Sequence, residues 1–168
     1  RRRERLAATV RESGAEAALI TRLVNVHYLT GLKSSNAAVL VQADGAATLA
    51  TDGRYVTAAA EVAPDLELVN ERGVAVALAG RVEGRLAVEE HDVTLALAES
   101  ITKAAERAEL VHLGRKVEAL RAVKDDDEVA SIREACAISC RALDDLFAFR
   151  HAYGRDPRSW RDHAYGLA

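Results

Sequence analysis

Residues 16–31, Glu16-Ala17-Ala18-Leu19-Ile20-Thr21-Arg22-Leu23-Val24-Asn25-Val26-His27-Tyr28-Leu29-Thr30-Gly31, open the stretch whose reading decides the fold. An apolar run over 37–43 follows, then Asp44-Gly45, a second run over 47–51, and the polar group Asp52-Gly53-Arg54-Tyr55. The run over 17–21 has the length and bareness of a buried strand. Residues 25–31 read as a turn or a single helical turn, closed by Gly31. Asp-Gly between two strand-like runs is the strongest short-range hairpin signal, so 37–43 and 47–51 pair antiparallel.

Outward from there, strands and helices alternate. Residues 2–13 read as a helix with Leu6, Ala7 and Val10 on one face and Gly14 as its terminator. The alanine-rich 53–62 is helical and stops before Pro64. Strand readings at 66–69, 85–89 and 110–112 interleave with helices at 74–82 and 95–107. One early hairpin followed by such alternation implies an α/β fold, a mixed β-sheet with flanking helices. A last helix runs from 125 to about 149 by its pattern. Asp125, Asp126 and Asp127 cap its start, and Val129, Ile132, Cys136, Ser139, Leu143 and Leu146 form an apolar stripe. The charged Gly114-Arg115-Lys116 marks a boundary, giving a domain at 1–118 and a linker plus helix at 119–168.

Composition bounds the function. The chain has 168 residues, 49% hydrophobic but only 4% aromatic, so its core is built from Ala, Val and Leu. A net charge of −3 argues against a nucleic-acid partner. Two cysteines are too few for a disulfide framework and fit a reducing, cytoplasmic setting. No apolar run reaches the length of a membrane span, and no apolar core follows Arg1-Arg2-Arg3 to make a signal peptide. The absence of methionine carries the expectation that the sequence does not begin at a translation start. No G-x-G-x-x-G, G-x-x-x-x-G-K-S/T or G-x-S-x-G pattern supports nucleotide or serine-hydrolase chemistry. Residues 147–165 gather five of the chain's seven aromatics, with Arg150, Arg155, Arg158 and Arg161 among them. They show no period that predicts an element.

Three segments together resemble the creatinase, prolidase and Xaa-Pro aminopeptidase family. Residues 18–31 are similar to its strand followed by an Asn-x-x-Tyr-Leu-Thr-Gly turn, here Asn25 to Gly31. Asp52-Gly53-Arg54-Tyr55 resembles its turn after the hairpin. Leu120-Arg121-Ala122-Val123-Lys124-Asp125, with Ile132-Arg133-Glu134-Ala135, resembles its linker and the first helix of a pita-bread catalytic domain. Their agreement in order over the chain is worth more than any one motif. The resemblance implies a non-catalytic N-terminal domain that mediates oligomerisation, as a dimer or larger homo-oligomer, and restricts access to the active site. It implies a parent that hydrolyses short proline-containing peptides with two divalent metals, manganese by expectation, held by two Asp, one His and two Glu. No such ligand falls in this sequence, and the likeness fades after about residue 147. The alternatives are a stand-alone dimerisation or regulatory module and a creatinase-like amidinohydrolase parent.

Five residues are candidates for a binding or interface site: His27, Tyr28, Asp52, Arg54 and Tyr55. Asp52 reads first as a cap for the helix beginning at Gly53, and second as part of a polar contact. Asn25 reads as a surface turn residue or a cap. His27 could titrate near neutrality or bind a carboxylate beside a cleft. Cys136 and Cys140, four apart, read as buried packing residues, because no partners complete a metal site. His91, His112, His151 and His163 have no metal-binding spacing.

Overall fold

A computed structural model of the chain describes the backbone of residues 1–153 and side chains as far as Arg150. The expectations placed on His151, Tyr153, Arg155, Arg158, Trp160, Arg161, His163 and Tyr165 concern side chains outside the described residues. The chain divides into two compact units, the first Arg1–Val123 and the second starting at Lys124.

In the first unit the order is α1 (Arg2–Glu12), β1 (Ala17–Ile20), α2 (Leu23–Thr30), β2 (Ala37–Gln42), β3 (Ala47–Thr51) and α3 (Val56–Val62). Then come β4 (Glu67–Asn70), α4 (Val74–Ala79), β5 (Gly84–Val88), α5 (Leu95–Ala104), β6 (Ala108–His112) and α6 (Lys116–Ala122). The strands form one mixed sheet in the order β4-β3-β2-β1-β5-β6. Only β2 runs against the others, pairing antiparallel with β1 and β3, while β1/β5, β3/β4 and β5/β6 are parallel. Crossover helices between parallel strands cover both faces, which is why β1 is buried at every residue instead of alternating. Ala18, Ile20, Val39, Val41 and Leu49 join Leu6, Val10, Val26, Leu29 and Val117 in one core layer. Ala17, Leu19, Leu40, Leu86 and Val88 join Ala75, Leu78 and Ile101 in the other.

The hairpin forms where Asp-Gly places it. Asp44 Oδ1 accepts from the Ala46 backbone N–H at 2.9 Å, and Gly45 takes a φ of +100° that other residues avoid. Two local expectations need correction. Residues 25–31 are not a single turn: α2 starts at Leu23 and makes two turns. Gly31 then caps it in the left-handed region, φ +83°, with its N–H donating to the His27 carbonyl at 2.7 Å. The charged stretch after Gly114 is not merely linker, because it contains α6. That helix buries Val117 and packs on α1 and α2.

The second unit contains α7 (Asp126–Tyr153). Its start is a capping box: Asp125 Oδ1 accepts from the Glu128 N–H at 2.9 Å, and Glu128 Oε2 accepts from the Asp125 N–H at 3.0 Å. The apolar stripe is open at Ile132, Leu143 and Leu146, and Ile138 and Phe147 elsewhere on the same helix are exposed too. Cys136 and Cys140 are free and exposed on this helix, not buried. A stripe becomes core only where another element lies on it.

Candidate functional site

Because five of six strands share a direction, their carboxyl ends lie along one edge of the sheet, where open α/β folds place ligands. Two polar clusters sit there. The first follows β3. Asp52, 6% exposed, accepts from Asn36 Nδ2 at 2.7 Å and from the Arg54 backbone N–H at 3.1 Å. The Arg54 guanidinium grips the same carboxylate with Nε at 2.9 Å and Nη2 at 2.8 Å, a two-point fork. The capping expectation for Asp52 therefore shifts. It closes a turn ahead of α3, whose N-cap position is Tyr55 and has no side-chain cap. Arg54 also lies over the Tyr55 ring at 5.2 Å, and the Tyr55 hydroxyl meets Ser35 Oγ at 2.9 Å.

Asn36 ties this turn to its neighbours. Its Nδ2 donates to the Arg72 carbonyl at 3.2 Å, and its own carbonyl accepts from Thr51 Oγ1 at 2.7 Å. The result is an open cleft of about 900 Å³ lined by Asn36, Asp52, Gly53, Arg54, Asn70, Glu71 and Arg72. A second cleft of about 360 Å³ shares Asn36 and Arg72 and adds Leu23, Ser35 and Val74. Hydrogen bonds from Arg54 and then Asn36 hold the Asp52 carboxyl well below the usual range. The Ser35 contact lowers the Tyr55 phenol, and the Asp52 carboxylate raises Arg54. The cleft thus offers cationic guanidinium groups and amides beside a firmly ionised Asp52, a wall suited to charged ends of a small polar ligand.

The second cluster follows β1 and β5, and sequence reasoning missed most of it. Glu89, fully buried, accepts from the Thr21 and Arg22 backbone N–H groups at 2.8 and 2.9 Å and from Asn25 Nδ2 at 2.6 Å. Asn25 is fully buried in α2 with ordinary helical backbone, so its reading as a surface turn residue fails. Its Nδ2 also donates to Glu118 Oε1 at 3.0 Å, which Arg22 Nη1 meets at 2.6 Å and His91 Nε2 at 3.1 Å. Burial pushes Glu89 up, against the pull of its three N–H donors. Burial also opposes ionisation of Glu118, but the Asn25 amide, its own backbone N–H, Arg22 and His91 bring it down to about 2.

The five candidates do not form one site. Asp52, Arg54 and Tyr55 are together. Tyr28, 7% exposed, donates its hydroxyl to the Leu120 carbonyl at 3.3 Å and carries the Arg2 guanidinium 4.5 Å above its ring. His27 is half-buried, with Nδ1 shielded and unpartnered. Among the described residues neither hydrogen-bonds to the Asp52 cluster. No three His, Cys, Asp or Glu side chains of the described residues are grouped to hold a metal ion. No described helix is long and apolar enough to cross a membrane.

These charges make the fold acid-sensitive. Asp52 and Glu118 are depressed in the folded state, so their stabilisation is present above their ordinary values of 3.8 and 4.5 and is lost as pH falls toward 2. Glu89 is raised and acts in the opposite sense, its contribution fading as pH climbs through its elevated value. Below about pH 4.5 Glu89 is protonated folded and unfolded and adds little slope, so the expected result is a melting temperature that drops between about pH 4.5 and pH 2 as Asp52 and Glu118 take up protons. Thermal scans by circular dichroism across that range check it; a flat profile would contradict the ionised pairing.

A mixed six-stranded sheet covered on both faces, with its polar clusters at the strand ends, defines a layered α/β domain. The chain belongs to the creatinase/prolidase N-terminal domain family, whose model matches residues 2–123. It is similar to the N-terminal domain of the cytoplasmic peptidase PepQ from Mycobacterium tuberculosis H37Rv, at 46% identity and a TM-score of 0.69, covering 71% of this chain and 97% of that one. It also resembles the Xaa-Pro dipeptidase of Bacillus anthracis, with 27% identity and a TM-score of 0.79 over 88% of this chain and 42% of the dipeptidase. The uncharacterized peptidase YqhT of Bacillus subtilis (strain 168) is 32% identical over 153 residues, 88% of this chain and 41% of YqhT. The chain thus spans about two fifths of the length of the curated relative it matches.

Proposed function

We propose that this chain acts as the non-catalytic N-terminal portion of a metal-dependent Xaa-Pro peptidase, an aminopeptidase or dipeptidase of the cytoplasm. The observation that carries the reading is its 46% identity with nearly the whole N-terminal domain of PepQ. The likeness to Xaa-Pro dipeptidase extends past that domain to 88% of the chain, which also fits α7 as the opening helix of a catalytic domain. In this reading the hydrolysis belongs to a second domain that binds two divalent metals, manganese by expectation. The present residues build a homo-oligomer and narrow the active-site mouth, limiting substrates to short proline-containing peptides.

Asp52, Arg54 and Tyr55 are the residues assigned to that mouth. Arg54 is 66% exposed at its side chain yet held in place by Asp52, so it presents a pre-oriented cation to a neighbouring surface or to a peptide carboxylate. His27 and Tyr28 are assigned at most a supporting interface role.

The test is to capture the native product from its source cells with an antibody to residues 16–55, weigh it, and assay manganese-dependent cleavage of Xaa-Pro peptides. A mass well above 18.1 kDa with that activity is expected. In that protein Arg54→Ala should raise KM with little change in kcat, the mark of lost substrate positioning. A native mass near 18.1 kDa without cleavage would overturn the reading.

A further inference from the structure

α6 is the last element of the first unit, and its apolar anchorage is slight: Val117 is buried and Leu120 only partly so. The rest of its attachment is polar and converges on two residues of the Asn25-x-x-Tyr28 motif. Asn25 donates to Glu118 and accepts from Arg121 Nη1 at 3.1 Å, while Tyr28 donates to the Leu120 carbonyl. Arg22 and His91 complete the grip on Glu118. We infer that Asn25 and Tyr28 form a latch that holds α6 on the sheet domain, and that the charge balance around Asn25 decides whether the latch is closed.

The geometry gives the reason. One amide, Asn25 Nδ2, serves two carboxylates at once, Glu89 at 2.6 Å and Glu118 at 3.0 Å. The charged groups around that point are Glu89 at the end of β5, Arg22 ahead of α2, His91 and Asp92 after β5, and Glu118 and Arg121 on α6. The amide hydrogens separate two acceptors that would otherwise repel. Glu89 is anchored by backbone N–H groups of the β1–α2 junction and stays. Glu118 rides on a seven-residue helix, and when the bridge fails only Arg22 and His91 oppose its repulsion from Glu89, so α6 opens more often. Release of α6 lengthens the connection between the first unit and Lys124, so the latch regulates how tightly the following segment is tethered.

The experiment is hydrogen exchange on the full chain and its Asn25→Asp variant, read peptide by peptide. The substitution replaces the amide donor with a third carboxylate. At about pH 7.5 the amides of residues 116–122 should exchange about tenfold faster, a change matching loss of one or two hydrogen bonds, while β1, β2 and β5 keep their protection. At about pH 5, after correction for intrinsic rates, the difference should shrink, because a proton shared among the carboxylates restores a donor. Tyr28→Phe deletes a hydrogen bond and no charge; it should give the same selective rise, about threefold, without pH dependence. Wild-type exchange of residues 116–122 in both variants would overturn the latch. So would loss of sheet and α6 protection in one step in both, since Asn25 and Tyr28 would then be general supports of the fold.

Discussion

Glu89→Ala is expected to lower the unfolding free energy by about 3–5 kcal/mol, a large share of the stability of a domain this size. The carboxylate is fully buried and takes three N–H donors, two from the backbone at the β1–α2 junction and one from Asn25. Truncation leaves those donors without an acceptor in a dry site, where each unpaired group costs about 1–3 kcal/mol. It also removes the counterweight that holds Asn25 toward the sheet. Urea unfolding followed by circular dichroism reads the loss. Glu109→Ala serves as the control, because Glu109 is exposed on β6 and its removal should stay within about 0.5 kcal/mol. A loss at Glu89 no larger than at Glu109 would mean that solvent reaches the donors and that the cluster has little hold on the fold.

Glu89 also shows where the sequence is silent. Its partners lie 64 to 68 positions away, so no local period or spacing marks it as anything but the polar residue after a strand. Asn25 has the same history. Within its own neighbourhood, Asn25, His27 and Tyr28 dilute the apolar signal and pull the reading toward a turn, yet α2 forms because Val26, Tyr28 and Leu29 bury against the sheet while the amide finds acceptors from β5 and α6. α6 itself was invisible for a related reason: it has no side-chain cap and one fully buried residue. What the sequence carried plainly were features whose cause is local. Asp44-Gly45 fixes the hairpin and with it the register of β2 on β3. Unbroken apolar runs mark β1 and β2 as strands covered on both faces. Asp52, Arg54 and Tyr55 were legible because their contacts are made within one turn, although the cleft they border needs Asn70 and Arg72 from the β4–α4 connection.

The same two-sided burial sets the second large effect, which falls on neighbouring residues of β1. Leu19 and Ile20 are both fully buried, but successive side chains of a strand point to opposite faces. Leu19 belongs to the layer with Leu78 and Ile101, Ile20 to the layer with Leu6 and Val26. Either residue changed to alanine should cost about 2–5 kcal/mol, the sum of lost transfer energy and an unfilled cavity. The upper half of that range applies here, because β1 is central, hydrogen-bonded to β2 on one side and β5 on the other, and has little room to collapse. The two cavities open on different faces, so the costs should nearly add. A double variant then loses about 7–10 kcal/mol, within reach of the whole stability of an ordinary domain. It should be unfolded at room temperature while each single variant still shows a cooperative urea transition. If the double variant is no worse than the poorer single one, the two layers share one collapsible space and the sheet is not the partition its topology implies.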